Sequence, residues 1–135
     1  MADYRETVDY ILGIPLFAQK IGKENLSSLL CRLGNPEKAV PAIHVAGTNG
    51  KGSTCRALAQ MLAAQGYRVG LFISPHLVSI NERIQINGTN ISDDDFVSAF
   101  ETVKGQFMEH PSFFEVMFAM AAVYFRQQKC DFAVY

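Results

Sequence analysis

AIHVAGTNGKGST, residues 42–54, decides the fold. The run AIHVA over 42–46 is short, apolar and partly β-branched, which predicts a strand. It passes into Gly47, Thr48, Asn49, Gly50, Lys51 and Gly52, and from Ser53 to Gln65 the apolar spacing is helical until Gly66 closes it. Strand, glycine loop, helix is the arrangement that cradles phosphate. Gly47, Gly50 and Gly52 permit close backbone approach and unusual dihedrals, so successive N–H groups can converge on oxyanions. Lys51 brings a mobile positive charge for β- and γ-phosphates, and Ser53 or Thr54 offers a hydroxyl to phosphate or magnesium where the helix begins. The spacing departs from the common GxxxxGK[ST] pattern, because two residues separate Gly47 from Gly50 and Gly52 stands between Lys51 and Ser53. The competing reading is a tight turn with a solvated lysine; the flanking strand and helix favour phosphate.

Outward from this unit, RVGLFI over 68–73 reads as a second strand, a parallel neighbour of the first through a right-handed crossover. The class is therefore α/β, a parallel sheet with helices on both faces. Upstream, Asp3–Leu12 and Asn25–Leu33 carry apolar residues at helical spacing, and Gly34, Asn35 and Pro36 stop the second helix. Downstream, RIQINGTNI over 83–91 alternates about Asn87-Gly88, a hairpin signal, and is expected to project from the main sheet. Ser92 with Asp93, Asp94 and Asp95 starts a helix that runs to about Glu109. Pro111 breaks the chain, Phe113–Gln128 is a helix apolar on most of its circumference, and DFAVY over 131–135 begins a buried strand. A sheet strand with no covering helix after it reads as the end of a fragment.

Composition narrows the function classes. With 49 % apolar and 19 % charged residues in 135, the chain suits one globular core. A net charge of -1 lacks the basic excess of a nucleic-acid binder. Cys31, Cys55 and Cys130 are odd in number and widely spaced, which argues against a disulfide framework or a zinc site and fits a reducing, cytoplasmic setting. The first nine residues include Asp3, Arg5, Glu6 and Asp9 and do not read as a secretory signal. The most apolar stretch, Phe113–Phe125, is thirteen residues long with Glu115 inside it, too short for a bilayer.

HVAGTNGKGST, then ISPHLVSINERIQING, then SFFEVMFAMAAVYF resemble, in order and over nearly the whole chain, the amino-terminal third of the folylpolyglutamate and dihydrofolate synthase family of the Mur ligase superfamily. The resemblance implies a P-loop-type parallel-sheet ATPase domain, of which residues 1–135 are the truncated amino-terminal part, and an absent carboxy-terminal domain that helps bind glutamate. It implies ATP-driven joining of L-glutamate to a folate or dihydropteroate through an acyl phosphate, with Mg2+, in a protein whose intact members are monomers. Carried over by residue, Gly50, Lys51, Gly52 and Ser53 meet nucleotide phosphates, and Ser74 matches a serine that ligates magnesium. By spacing alone Ser74 is a turn residue before Pro75. Lys20, Ile21, Gly22 and Lys23, with Ser112, Phe113, Phe114 and Glu115, match the pteridine-binding surface. Either phenylalanine could stack on a heteroaromatic ring or belong to the core, and Glu115 could be a site acid or complement its helix dipole. Arg83 is placed near a carboxylate or phosphate, against the alternative of a solvated residue opening the hairpin. His76 lies beside it in sequence order, while His44 and His110 receive no role.

Within the family the strand resembling DFAVY leads into a magnesium-binding glutamate, and a histidine metal ligand, a carbamylated lysine and adenine-binding residues come later. The 135 residues alone are expected to be inactive as a ligase. Three other readings compete: a ligase of peptidoglycan precursors, against which Gly52 and the SPHL-to-ERI segment weigh; a regulatory P-loop NTPase; and a nucleotide-binding remnant without turnover.

Overall fold

The computed structural model describes residues 3–14, 23–45, 50–107 and 111–135, with the backbone alone for 23–25 and 51. Six helices and five strands follow in the order α1 (Tyr4–Leu12), α2 (Lys23–Arg32), α3 (Pro36–Ala39), β1 (Ala42–Ile43), α4 (Lys51–Ala64), β2 (Val69–Phe72), β3 (Ile84–Ile86), β4 (Thr89–Asn90), α5 (Asp93–Lys104), α6 (Phe113–Gln127) and β5 (Phe132–Val134) among the described residues. A 3₁₀ turn over Ile80–Arg83 precedes β3.

The sheet runs β1-β5-β2-β3-β4. β1, β5 and β2 are mutually parallel, with Ala133 opposite Ala42 on one side and Gly70 on the other. The first two strands are thus parallel, but they are not the neighbours that the crossover reading expected: β5 lies between them. A strand bounded on both sides must be apolar throughout, and the DFAVY run supplies that. The hairpin also corrects expectation. It does not project; β3 pairs antiparallel with β2, Phe72 opposite Ile84, and extends the sheet. Asn87 (φ 48°) and Gly88 (φ 82°) form its left-handed turn, and the Asn87 side chain accepts the Val69 N–H at 2.8 Å, tying the turn to β2.

Alternation along the strands divides the layers. Val69, Leu71, Ile73 and Val134 pack with Cys55 and Ala59 of α4 on one face. Phe72 and Ala133 face the other way, into the larger core of α1, α2, α5 and α6. Met117, Met120, Val123 and Phe125 of α6 have no measurable exposure, as expected for a helix between sheet and outer helices.

Helix ends follow local chemistry. Asp3 caps α1 by accepting the Glu6 N–H, and Ser92 caps α5 by accepting that of Asp95. α5 ends at Lys104 with Gly105 as its cap, one turn short of the expected Glu109. Pro36, read only as a stop, opens the short helix α3 after Asn35 in a left-handed conformation.

Candidate functional site

A cleft of about 370 Å³ opens at the carboxyl ends of the three parallel strands. His44 follows β1, Ile73 and Ser74 follow β2, and Tyr135 follows β5; all four line it. The amino terminus of α4, through Gly50, Gly52 and Cys55, forms another wall. Ligands of open α/β sheets collect at this edge.

Gly50 sits at the helix N-cap with φ 72°, a conformation that favours glycine. The first α4 N–H with an intrahelical acceptor is that of Thr54, on the Gly50 carbonyl at 2.9 Å. The preceding N–H groups of the turn have none by helix geometry and form the positive end of the dipole. Among the described residues, nothing lies within 4 Å of a Cβ built on Gly50 or Gly52. Ser53 and Thr54 are exposed on it. Gly47, Thr48 and Asn49 lie outside the described residues, as does the Lys51 side chain.

The opposite wall is aromatic. Phe72, Phe114, Phe118 and Tyr135 line the cleft. Phe114 and Phe118 stack at 6.0 Å with 29° between planes, and Phe118 and Tyr135 lie 4.9 Å apart. Burial, with Glu37 and Cys130 nearby, drives the Tyr135 phenol well above its usual range, so it is a neutral donor. The two phenylalanines that sequence left undivided differ here: Phe113 is 6 % exposed and belongs to the core, whereas Phe114 is 51 % exposed.

Ser112 and Glu115 form a reciprocal cap at the start of α6. The Glu115 carboxylate accepts the Ser112 N–H at 2.8 Å, and Ser112 Oγ accepts the Glu115 N–H at 3.2 Å. The S-x-x-E spacing carried that signal. Both side chains are buried, and the cap fixes where Phe113 and Phe114 point.

Ser74 is exposed in the cleft. Beyond it Glu82 gathers the loop, with Oε1 accepting the Leu77 N–H and Oε2 those of Val78 and Ser79, all at 2.7–2.9 Å. These bonds hold its pKa down to about 2. Arg83 donates from Nε to His76 Nδ1 at 2.7 Å, and its guanidinium carbon lies 4.9 Å from the Phe113 ring centroid. Burial lowers the pKa of both His76 and Arg83, and the charge of Arg83 lowers that of His76 further. No residue type or spacing announced this contact.

His44, read as pointing from a buried strand, is exposed and in the cleft, because β1 has a partner on one side only among the described strands. Lys20, Ile21, Gly22 and His110 lie outside the described residues. Lys23 opens α2, its side chain likewise outside. Among the described residues no three His, Cys, Asp or Glu side chains gather in a metal-binding cluster, and no helix is long and apolar enough to cross a membrane. A second hollow of about 620 Å³, between α4 and the hairpin, contains none of the predicted site residues.

A mixed sheet with helices on both faces and a glycine-started helix at its carboxyl edge makes this an α/β domain with its cleft at the edge where such sheets bind ligands. No family model matches the chain. It is 39 % identical over 140 residues to the dihydrofolate synthase/folylpolyglutamate synthase of Bacillus subtilis, covering 98 % of this chain and 33 % of that protein. The crystal structure of a folylpolyglutamate synthase from Thermotoga maritima superposes with a TM-score of 0.91 at 42 % identity, over 97 % of this chain and 32 % of that one. A folylpolyglutamate synthase complex with AMPPCP and folate matches with a TM-score of 0.93 at 39 % identity, over 99 % and 35 %. The chain belongs to the folylpolyglutamate and dihydrofolate synthase family, and it spans about a third of the length of the relatives it matches.

Proposed function

We propose that this chain supplies the phosphate-binding part of an ATP-dependent ligase that adds L-glutamate to a folate, to a dihydropteroate, or to both, through an acyl phosphate. The observation that carries the reading is one cleft with two unlike walls. The open first turn of α4 at Gly50 and Gly52 suits polyphosphate, and the exposed face of Phe114 suits a flat heteroaromatic ring. Membership of the family, and a relative whose complex holds an ATP analogue and folate, support pairing these two ligands.

In this reading Gly47–Thr54 hold the nucleotide phosphates, with Lys51 opposing their charge. Ser74 is a hard oxygen donor in the cleft and would hold Mg2+ there together with phosphate oxygens, water and ligands from the remainder of the intact protein; the ion would offset phosphate charge. ATP, when bound, supplies the phosphoryl group that activates a carboxylate. The residues of this chain orient it: α4 fixes the phosphates, and the Ser112–Glu115 cap fixes the start of α6 and so the Phe114 ring. Lys20, Ile21, Gly22, Lys23 and Arg83 complete the folate side of the proposal. Residues 1–135 are the amino-terminal part of the ATP-binding domain, and the glutamate-binding domain belongs to the remainder of the intact protein, which acts as a monomer in the cytoplasm.

Glutamate-dependent release of ADP in the presence of a reduced folate, measured on the intact protein, tests the activity. Absence of stimulation by any folate or dihydropteroate sinks it. Lys51→Ala is expected to weaken ATP binding, and equal affinity in parent and variant removes the role given to the loop.

A further inference from the structure

Arg83 is held at three points. Its backbone carbonyl accepts the Ile73 N–H at 3.0 Å, anchoring it to the end of β2. Its Nε–H goes to His76 Nδ1, and its guanidinium carbon lies 4.9 Å from the Phe113 ring centroid. Phe113 is itself fixed by burial and by the α6 cap. A guanidinium is always a donor, so His76 Nδ1 must carry the lone pair and Nε2 the proton. That contact uses one of five N–H donors. The remaining four are on the two terminal nitrogens, in the fork that matches a carboxylate or phosphate. Among the described residues no carboxylate offsets the desolvation of Arg83.

The location matters as much as the geometry. Ser74, two residues before His76, and Phe114, next to Phe113, both line the cleft. His76, Arg83 and Phe113 are not in its lining but each adjoins a residue that is: Arg83 through its bond to Ile73, the other two through the chain. The His76 side is itself constrained, because Glu82 gathers the N–H groups of Leu77, Val78 and Ser79 immediately after it. A long arginine that would otherwise sample many rotamers is pre-organised before any ligand arrives.

We propose that His76 is a positioning residue that acts through Arg83, holding the guanidinium against Phe113 so that its terminal nitrogens present a fork to an oxyanion of the cleft's ligand. This rests on the cleft being a ligand site, as proposed above, but the His76–Arg83 link can be read without ligand. His76→Asn places an amide oxygen near the position of Nδ1 and keeps the acceptor; His76→Ala removes it.

The link is tested by the exchange rate of the Arg83 Nε proton with water, by NMR on the intact protein. Slow exchange in the parent and in His76→Asn, with fast exchange in His76→Ala, is expected; an unchanged rate in His76→Ala overturns the proposal. Its consequence is tested with folate and with AMPPCP as separate probes. His76→Ala should weaken one of them by about tenfold, the worth of a hydrogen bond to a charged group, and His76→Asn should restore most of it. Which probe responds identifies whose oxyanion Arg83 meets. In an Arg83→Ala background the His76→Ala change should cost nothing more, and a persisting tenfold loss overturns the positioning role. Failure of the parent to bind either probe overturns the ligand reading of the cleft, and with it the fork's purpose, even where the proton exchange upholds the contact.

Discussion

Gly70 and Phe125 meet face to face: a Cβ built on Gly70 would lie 2.5 Å from the Phe125 ring. The missing side chain in the middle of β2 is what lets α6 lie against the sheet, with Phe125 fully buried. Gly70→Ala is expected to destabilise the fold by about 1–3 kcal/mol through overpacking. Combined with Phe125→Leu, it should cost less than the sum of the two single changes, because the smaller side chain makes the room the methyl needs. Parallel denaturant titrations of the four proteins check both statements.

Phe113 and Phe114 should separate cleanly on mutation. Truncating the buried Phe113 leaves a cavity and uncovers Arg83, so Phe113→Ala should cost about 3–5 kcal/mol of stability. Phe114→Ala, at a half-exposed position, should cost far less and instead weaken folate binding in the intact protein. Melting curves and folate titrations of both variants give the comparison.

Glu82 predicts an acid response of defined sign. Only its carboxylate accepts the three loop N–H groups, and its pKa is pulled down to about 2. The stabilisation it gives is therefore fully present above the ordinary carboxylate range and is lost as the pH falls toward that value. Amide resonances of Leu77, Val78 and Ser79 should shift with a midpoint near 2. In Glu82→Gln the transition should vanish.

Asn81 joins three parts of the chain from a site 5 % exposed. Its Oδ1 accepts from the Tyr4 hydroxyl, and its Nδ2 donates to the Ile91 carbonyl at 2.7 Å and to Asp93 at 3.0 Å. Asn81→Ala strands these partners and should cost about 1–3 kcal/mol. Tyr4→Phe should cost about 1 kcal/mol, because it deletes one donor and leaves the amide its other bonds. Hydrogen exchange of α1 should quicken in both variants.

How legible this was depended on range. The glycine-started α4, the Asn87-Gly88 turn and the capped helices declare themselves within a few residues, because backbone freedom and capping chemistry are local. The place of β5 is not local: strand order is set by contacts between residues some ninety apart, such as Ala42 and Ala133. Nor is the end of α5, where Gly105 acts as the cap although the residues after it, as far as Glu109, read as helix. Within the site, Ser74 and Phe114 were found from the family motifs and stand in the cleft. The Ser112–Glu115 cap is visible in its S-x-x-E spacing, although the sequence reading gives Ser112 only a binding role and weighs for Glu115 a site acid against a complement to its helix dipole. The His76–Arg83 contact depends on how a loop folds back, which neither residue encodes alone.

The central place of β5 also has a meaning in time. A ribosome delivers β1 and β2 long before residues 132–134, so two of the three parallel strands emerge without the partner they share. Neither can close the sheet with the other. Until β5 arrives, their inner edges remain open hydrogen-bonding templates for any other strand.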